Sequence, residues 1–238
     1  MIYIKIGNDK QVELPNKWSE LTIESYSKII SLVRHYEIHR DIDNDGELTE
    51  AQIKKQILNN LKCSREIFAY LTKLTNDEVD KINENQMNTI INTMTELLNS
   101  NESLKKNWQQ KFDANLFNES FDFKGKTYYF PKVNMQDTTF GDYIETQQLQ
   151  VAKADIDEGR FGVMAEQMAI MCKQKDVENT DNLIRKKTKL FEKLPMDIVW
   201  NFVFFLTMQT NTYTKNLETY LKTATETETD MQQKIGTS

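Results

Sequence analysis

LPMDIVWNFVFFLTM, residues Leu194 to Met208, ends in the most apolar stretch of the chain, Ile198 to Met208. Pro195 lies where the first turn of a helix would begin, and proline is tolerated there because the first amide hydrogens of a helix have no partner within it. The apolar side chains that follow cover almost the whole circumference of the predicted helix. Because the stretch is about half as long as a bilayer-spanning helix, we expect a helix enclosed by protein, either at the centre of the domain or partly against a partner.

The chain around this helix has 238 residues, which is enough for one large domain or two small ones with a hydrophobic core. Hydrophobic residues make up 39% and charged residues 28% of the sequence, which is typical of globular proteins. The formal net charge of -6 disfavours a free-standing nucleic-acid binder, since such proteins usually carry the opposite sign. The start, MIYIKI, lacks the basic residues and continuous apolar run of a signal peptide. We therefore expect a soluble protein that is neither secreted nor membrane-embedded.

Two short stretches of alternating apolar and polar residues predict two β-hairpins, at residues 2–14 and 121–130. A proline closes each hairpin, and a threonine able to cap a helix follows, Thr22 in the first case and Thr139 in the second. Helical spacing of apolar residues predicts further helices at about 50–62, 64–73, 76–83, 84–99, 160–174, 178–193, 196–212 and 214–224. The predicted fold class is therefore α+β and predominantly helical, with helical hairpins around the two β-hairpins.

The two halves of the chain share short words at a nearly constant offset. VELP at Val12 matches YYFP at Tyr128 with an offset of 116, and TIESY at Thr22 matches TFGDY at Thr139 with an offset of 117. A third match joins residues 73–79 to residues 193–199 with an offset of 120. The matches indicate either an ancient duplication or the chance recurrence of short words. A duplication would allow the four strands to pair in one small sheet.

These features predict three regions along the chain. Residues 1–115 form a hairpin-plus-helical half, and residues 116–222 form a second one. Residues 223–238 form a polar tail rich in Thr and Glu, which has almost nothing to bury and would be mobile alone.

An acidic stretch, DIDNDGELTEAQ at residues 41–52, resembles the calcium-binding loop of an EF-hand. In that arrangement the carboxylates of Asp41, Asp43 and Asp45 and the carbonyl of Glu47 converge on one hard cation. Gln52 occupies the last ligand position, where glutamate is usual, and the change removes a bidentate carboxylate and lowers the expected affinity. The alternative is a helix–helix loop without metal, because Asp, Asn and Gly are favoured in turns. Ca2+ is therefore a candidate ligand and not a required cofactor.

Other clusters give weaker indications of chemistry. His35 and His39 share a helix face and could hold a transition metal, but an ordinary helical pair is the simpler interpretation. The basic cluster at residues 185–189 indicates a solvated face more than a phosphate contact. Cys63 and Cys172 are expected to be reduced and buried. The sequence has no nucleophile elbow, phosphate loop or dinucleotide fingerprint, so we expect no enzymatic activity and name no catalytic residue.

Several segments of the chain resemble structural proteins of tailed-bacteriophage virions and tail assembly. These segments are Leu14-Pro15, Trp18, Leu21-Thr22, Tyr26, Phe123–Pro131, Thr139–Ile144, Leu190-Phe191, Leu194–Val199 and Phe204-Phe205. The last three resemble the C-terminal part of such proteins in crAss-like phages of gut Bacteroides, and the Asn- and Lys-rich composition suits the AT-rich genomes of these phages. The resemblance implies a place in the virion or its assembly, such as a connector ring or adaptor between portal and tail, and transfers no catalytic residue.

The resulting hypothesis is a non-enzymatic phage structural protein that forms a homo-oligomeric ring or adaptor in the head–tail connector or tail. Its expected partners are other copies of itself and neighbouring portal, connector or tail proteins; a DNA contact is possible but not indicated, and no membrane partner is expected. Its expected location is the virion, after assembly in the cytoplasm of the host bacterium. The first alternative is a tail-assembly chaperone absent from the mature particle. The second is a calcium-binding scaffold module built on residues 41–52, and an undetected enzyme is the last.

Overall fold

The computed structural model describes residues 1–6, 10–37, 49–99, 106, 120–132, 138–152 and 159–208. Over these residues the protein is α+β and predominantly helical, which confirms the predicted fold class. The strands are β1 (Ile2–Ile6), β2 (Lys10–Leu14), β3 (Ser120–Phe123) and β4 (Lys126–Tyr129), and the helices are α1 (Ile23–Tyr36), α2 (Glu50–Thr72), α3 (Asn76–Val79), α4 (Glu84–Asn99), α5 (Phe140–Ala152), α6 (Met164–Met171), α7 (Asp181–Phe191) and α8 (residues 196–208). Short 3-10 turns occur at Trp18–Glu20 and Gly159–Gly162.

Several helix boundaries differ from the predicted ones. The two helices expected at 50–62 and 64–73 are one continuous helix, α2, because no glycine or proline interrupts them. This helix ends at Lys73, whose left-handed backbone (φ 58°) lets the amide of Leu74 donate to the carbonyl of Ala69. The helix expected at 76–83 is limited to α3, and the one at 160–174 is a 3-10 turn followed by α6. The helix expected at 214–224 and the polar tail at 223–238 lie outside the described residues.

The strands form two separate two-stranded sheets, so the idea of one four-stranded sheet is wrong for these strands. In the first sheet Ile2 faces Leu14 and Ile6 faces Lys10; in the second, Ser120 faces Tyr129. The outer edge of β4 is already occupied, because Tyr129 and Lys173 exchange backbone hydrogen bonds of 2.8 and 3.2 Å. This bridge satisfies edge groups that could otherwise have paired with the first hairpin.

The matching words of the two halves lie in equivalent local structures. VELP, starting at Val12, and YYFP, starting at Tyr128, have the same burial pattern: buried, exposed, buried, buried. After each proline a threonine caps a helix, since Oγ1 of Thr22 accepts from the amide of Ser25 and Oγ1 of Thr139 accepts from the amide of Asp142. The order of hairpin, proline, capped helix and further helices is thus the same in both halves. The duplication itself stays a prediction.

One hydrophobic core joins both halves, and α8 lies within it. The amide of Met196, at the start of α8, donates to the carbonyl of Leu21 at 2.8 Å, and the amide of Ile23 donates to the carbonyl of Leu194 at 3.1 Å. Trp200 of α8 packs edge-on against Trp18 with ring centroids 5.3 Å apart. The burial of α8 confirms the expectation of an enclosed helix. Within the described residues, no helix combines the length and apolar character needed to cross a bilayer.

Candidate interaction surface

Helix α2 consists of two halves with different surroundings. Residues 63–72 carry buried side chains, among them Cys63, Ile67 and Phe68. Residues 50–62, which we call the outer half of α2, carry no fully buried side chain. At a rise of about 1.5 Å per residue, the outer half is a helical extension of about 20 Å.

The outer half extends past the end of α1. Tyr36, the last residue of α1, lies beside α2, because its carbonyl accepts from Nδ2 of Asn59 at 3.1 Å and its hydroxyl donates to Oε1 of Glu66 at 2.5 Å. The hydrogen bond with the Glu66 carboxylate also raises the pKa of Tyr36. Because α1 ends opposite residues 59–66, the residues of α2 before Asn59 have no further turn of α1 to pack against.

Local contacts of its own stabilise the start of the outer half. The amide of Gln52 donates to Oγ1 of Thr49 at 3.3 Å, and the amide of Thr49 donates to Oε1 of Gln52 at 2.8 Å, which together make a capping box. Lys54 forms an ion pair with Glu50 one turn earlier at 2.5 Å. Such contacts favour a helix, but each contributes only a small part of what a short helix needs to be stable in water.

Four large aliphatic side chains of the outer half face solvent. Ile53, Ile57, Leu58 and Leu61 are 46%, 55%, 51% and 53% exposed. Three of them recur every fourth residue, so they lie along one face of the helix, and Leu58 lies beside them. We call these four residues the aliphatic patch. Single exposed aliphatic residues are common on proteins, whereas a contiguous group on one helix is typical of an interaction surface.

A groove of about 310 Å3 adjoins the outer half on its other side. Val33 and Tyr36 of α1, Gln56 and Cys63 of α2, and Met94 of α4 are among the residues that line it. Val33 is 43% exposed, so part of the groove wall on α1 is apolar. The outer half contributes Gln56 and Asn60 to the groove, which is therefore a surface separate from the aliphatic patch.

Of the five candidate calcium ligands, the structure describes only Gln52. Asp41, Asp43, Asp45 and Glu47 lie outside the described residues. The side-chain oxygen of Gln52 accepts the amide hydrogen of Thr49, so this residue acts in the capping box that starts α2. Among the described residues, no group of three or more His, Cys, Asp or Glu side chains could hold a metal ion. The calcium site stays a prediction.

The histidines and cysteines singled out in the sequence are placed only in part. His35 is on the exposed side of α1 with its ring 5.0 Å from that of Tyr36, and His39 lies outside the described residues. Both cysteines are buried and neither is part of a disulfide bond, as expected. Burial raises the pKa of the Cys63 thiol to about 11, which makes this thiol a poor nucleophile at neutral pH.

The basic cluster on α7 is not one solvated face. Arg185, Lys186 and Lys189 are exposed, but Lys187 is only 3% exposed. Its ammonium donates to the carbonyl of Cys172, at the C-terminal end of α6, at 2.9 Å. Burial lowers the pKa of Lys187 to about 8. The expectation of a solvated cluster is therefore wrong for Lys187, which serves to cap α6 from within the core.

A second concavity, of about 620 Å3, lies between α1, the end of α2 and the start of α6. Glu24, Lys28, Tyr70 and Glu192 are among its lining residues. Glu24 forms an ion pair with Lys193, so part of the charge of this concavity is balanced within the chain. Exposed ion pairs of this kind contribute little to stability. The concavity is lined by charged side chains and does not have the grouped exposed aliphatic residues of the patch.

Comparison with known proteins gives no indication of function, so the functional interpretation rests on the geometry of the chain. No family model matches the chain, no curated protein matches it, and no solved structure matches it.

The sequence shows the apolar face of the aliphatic patch, but its spacing is the one typical of a buried helix face. Ile53, Ile57 and Leu61 follow the helical spacing of a core face. The spacing does not show whether a neighbour covers this face. In the structure α1 packs on the opposite side of α2, beside Asn59 and Cys63, and the patch stays exposed.

Proposed function

We propose that this protein is a non-enzymatic structural component that self-associates into a ring or adaptor in the head–tail connector or tail of a tailed bacteriophage. The observation that carries the proposal is the aliphatic patch on the outer half of α2. In this function the protein acts through its surface and needs no cofactor.

Most of the stability of a helix in a protein comes from packing of its apolar face. The outer half of α2 is held by the buried half only at its C-terminal end, and it leaves four aliphatic side chains about half exposed. Covering them would remove apolar surface from water and would order the helix at the same time. A protein that functions by assembly exposes an apolar surface of this kind until its partner binds.

The place in a phage particle rests on the sequence resemblance. Its partners there would be other copies of this chain and neighbouring portal, connector or tail proteins, and its location would be the virion, after assembly in the bacterial cytoplasm. A ring uses one repeated head-to-tail contact between identical subunits. A DNA contact remains a subsidiary proposal, supported by the exposed Arg185, Lys186 and Lys189 on α7.

The test is quantitative mass spectrometry of purified phage particles, combined with light scattering of the purified chain. A ring component is expected in the particle at a copy number fixed by symmetry, and as an oligomer in solution. A tail-assembly chaperone, the first alternative, would be present in infected cells and missing from particles. A chain absent from particles and monomeric in solution would contradict the proposal.

A pair of variants connects this test to the patch. The double substitution Leu58→Glu and Leu61→Glu places two charges in the aliphatic patch and is expected to abolish self-association, because burying an unpaired charge is costly. Lys126→Glu, at an exposed position of the second hairpin, is the matched control. Circular dichroism should show that both variants keep the helical content of the parent chain.

The calcium-binding scaffold stays as a second proposal, supported by the sequence of residues 41–52. Isothermal titration with Ca2+, repeated on Asp41→Ala, would give heat only for the parent chain if the loop binds the ion. Equal signals, or no heat in either case, would remove this proposal and leave the ring proposal unaffected.

A further inference from the structure

We propose that the aliphatic patch binds the C-terminal segment, residues 213–230, of a second copy of this chain. This inference rests on the proposed self-association and names the contact that would produce it. Residues 213–230 lie outside the described residues, so their part of the argument uses only their sequence.

The C-terminal segment has the sequence pattern of an amphipathic helix. Its apolar residues are Tyr213, Leu217, Tyr220, Leu221 and Ala224, at positions i, i+4, i+7, i+8 and i+11. At 100° per residue these five positions fall within one stripe about 100° wide, which is the width of a helix face that packs on a surface. The residues between them are Thr, Lys, Asn and Glu. The segment therefore has the sequence pattern of a helix with one apolar face.

The lengths of the two elements agree. Residues 213–224 would make a helix of about 18 Å at 1.5 Å per residue, and the outer half of α2 is about 20 Å long. A helix of this length could lie along the patch and contact all four aliphatic side chains. Pairing two marginal helices in this way would order both of them.

The charges of the two elements are complementary. The outer half of α2 has three lysines, Lys54, Lys55 and Lys62, and one glutamate, which gives a net charge of +2. Residues 213–230 have two lysines, three glutamates and one aspartate, which gives a net charge of -2, all of the excess lying after residue 224. The acidic run TETETD at 225–230 follows directly after the apolar stripe. Opposite net charges would draw the segment to the lysine-flanked patch and set its register.

The other amphipathic stretch outside the described helices fits less well. Leu104, Trp108, Phe112 and Leu116 recur every fourth residue and could also cover an apolar face. However, residues 102–119, a window as long as 213–230, carry three lysines against two glutamates and one aspartate, which gives a net charge of 0. This stretch lacks the acidic excess that would attract it to the positively charged outer half of α2. Electrostatics therefore favours the C-terminal segment as the occupant.

A C-terminal segment donated to a neighbour gives the contact that a ring needs. The donor uses its C-terminal end and the acceptor uses its α2, so the two surfaces differ and each copy can do both. Repetition of such a contact closes a ring when the rotation between copies divides a full turn.

Photo-crosslinking of the full chain tests the identity of the occupant. Ile57 is replaced by the photoreactive residue p-benzoylphenylalanine, and chains with natural and heavy nitrogen are mixed, irradiated and digested with trypsin. The expected products join the α2 peptide to the peptides 216–222 and 223–234, and they include pairs of one light and one heavy peptide. Products joined only within one isotope, products to residues 104–116, or no products at all would each overturn the proposal.

Two substitutions in the C-terminal segment give an independent measure. Leu217→Gln removes an apolar side chain from the stripe and is expected to weaken self-association about tenfold or more. Thr219→Gln, which introduces the same side chain on the opposite face, should change it by less than about twofold. Equal effects of the two substitutions would overturn the proposal.

Light scattering on the same samples separates the two levels of the argument. If the chain forms oligomers but crosslinks elsewhere, the docking of the C-terminal segment is wrong and the proposed self-association survives. If the chain stays monomeric at roughly 100 µM, where contacts of even modest affinity associate, both the docking and the self-association are wrong.

Discussion

Helix α8 and the outer half of α2 carry large apolar side chains at helical spacing, yet their surroundings differ completely. In α8, Val199, Phe202 and Phe205 have no exposed surface, whereas Ile57 and Leu61 of α2 are more than half exposed. Both sequences would be read as core helices. The difference is that α8 is enclosed by elements from both halves of the chain, while α1 packs on the side of α2 opposite the aliphatic patch, beside Asn59 and Cys63. Spacing therefore identifies the apolar face of a helix, and the positions of its neighbours decide whether this face is buried.

The largest expected effect comes from truncating a side chain in the enclosed helix. Phe205→Ala should lower the free energy of unfolding by about 3–5 kcal/mol, because it removes a buried ring and leaves a cavity. Leu61→Ala should change it by less than about 0.5 kcal/mol when the chain is monomeric, because Leu61 is an exposed surface residue. Urea unfolding at low protein concentration measures both values. Similar losses for the two variants would show that the outer half of α2 is buried within the monomer.

A second prediction concerns Lys187, a buried charge in the core. Its pKa in the folded chain is lowered from 10.5 to about 8 by burial, so between these two values the unfolded chain binds more protons than the folded one. The free energy of unfolding should therefore rise as pH increases from about 8 to 10.5, by at most about 3 kcal/mol. Lys173 and Asp142, which form a 2.8 Å ion pair, also act on the Lys187 ammonium.

Lys187→Met isolates this contribution. The variant should lack the rise, so the difference between parent and variant in urea unfolding, measured at pH 7, 8, 9 and 10, should grow with pH. The other groups that titrate in this range cancel in the difference. A constant difference would mean that Lys187 keeps an ordinary pKa.

The fold was predictable wherever local sequence decides the structure. Both hairpins, the caps at Thr22 and Thr139 and the fold class follow from alternation, turn residues and capping chemistry within a few positions of each other. The separation of the two sheets was not predictable, because it depends on Lys173, far from β4 in sequence, pairing with Tyr129. Local patterns carry no information on which distant backbone groups will meet.

The sequence predicted which side chains share a helix face at the site, but not what those faces contact. Lys187 stands at helical spacing between Ile184 and Phe191, so the sequence did contain a signal that this lysine faces the core. The carbonyl of Cys172 that receives its hydrogen bond is supplied by tertiary packing. In the same way, Ile53 and Ile57 were visible as an apolar face, but tertiary packing decides that α1 contacts the opposite side of α2.

Helix caps allow the same comparison through smaller changes in stability. The first cap is at the start of α1, in the enclosed region. Oγ1 of Thr22 accepts from the amide of Ser25 at 3.2 Å, and α1, which it starts, packs into the shared core. Thr22→Ala should therefore cost about 1 kcal/mol of global stability, measured by urea unfolding. Thr22→Ser, which keeps the hydroxyl, is the matched control and should recover most of the loss. An unchanged midpoint for Thr22→Ala would mean that the cap contributes nothing to global stability.

The same chemistry at the start of α2 should have a different consequence. Oγ1 of Thr49 accepts from the amide of Gln52 at 3.3 Å, but the helix that it starts has no buried side chain before Cys63. Thr49→Ala should leave the urea midpoint nearly unchanged and raise amide exchange in the first turns of α2 by about fivefold, the local equivalent of about 1 kcal/mol. Hydrogen exchange read by mass spectrometry measures this change, and Thr49→Ser is the control. Because the outer half can fray without opening the core, a loss of global stability as large as that of Thr22→Ala would show that the two halves of α2 unfold as one unit.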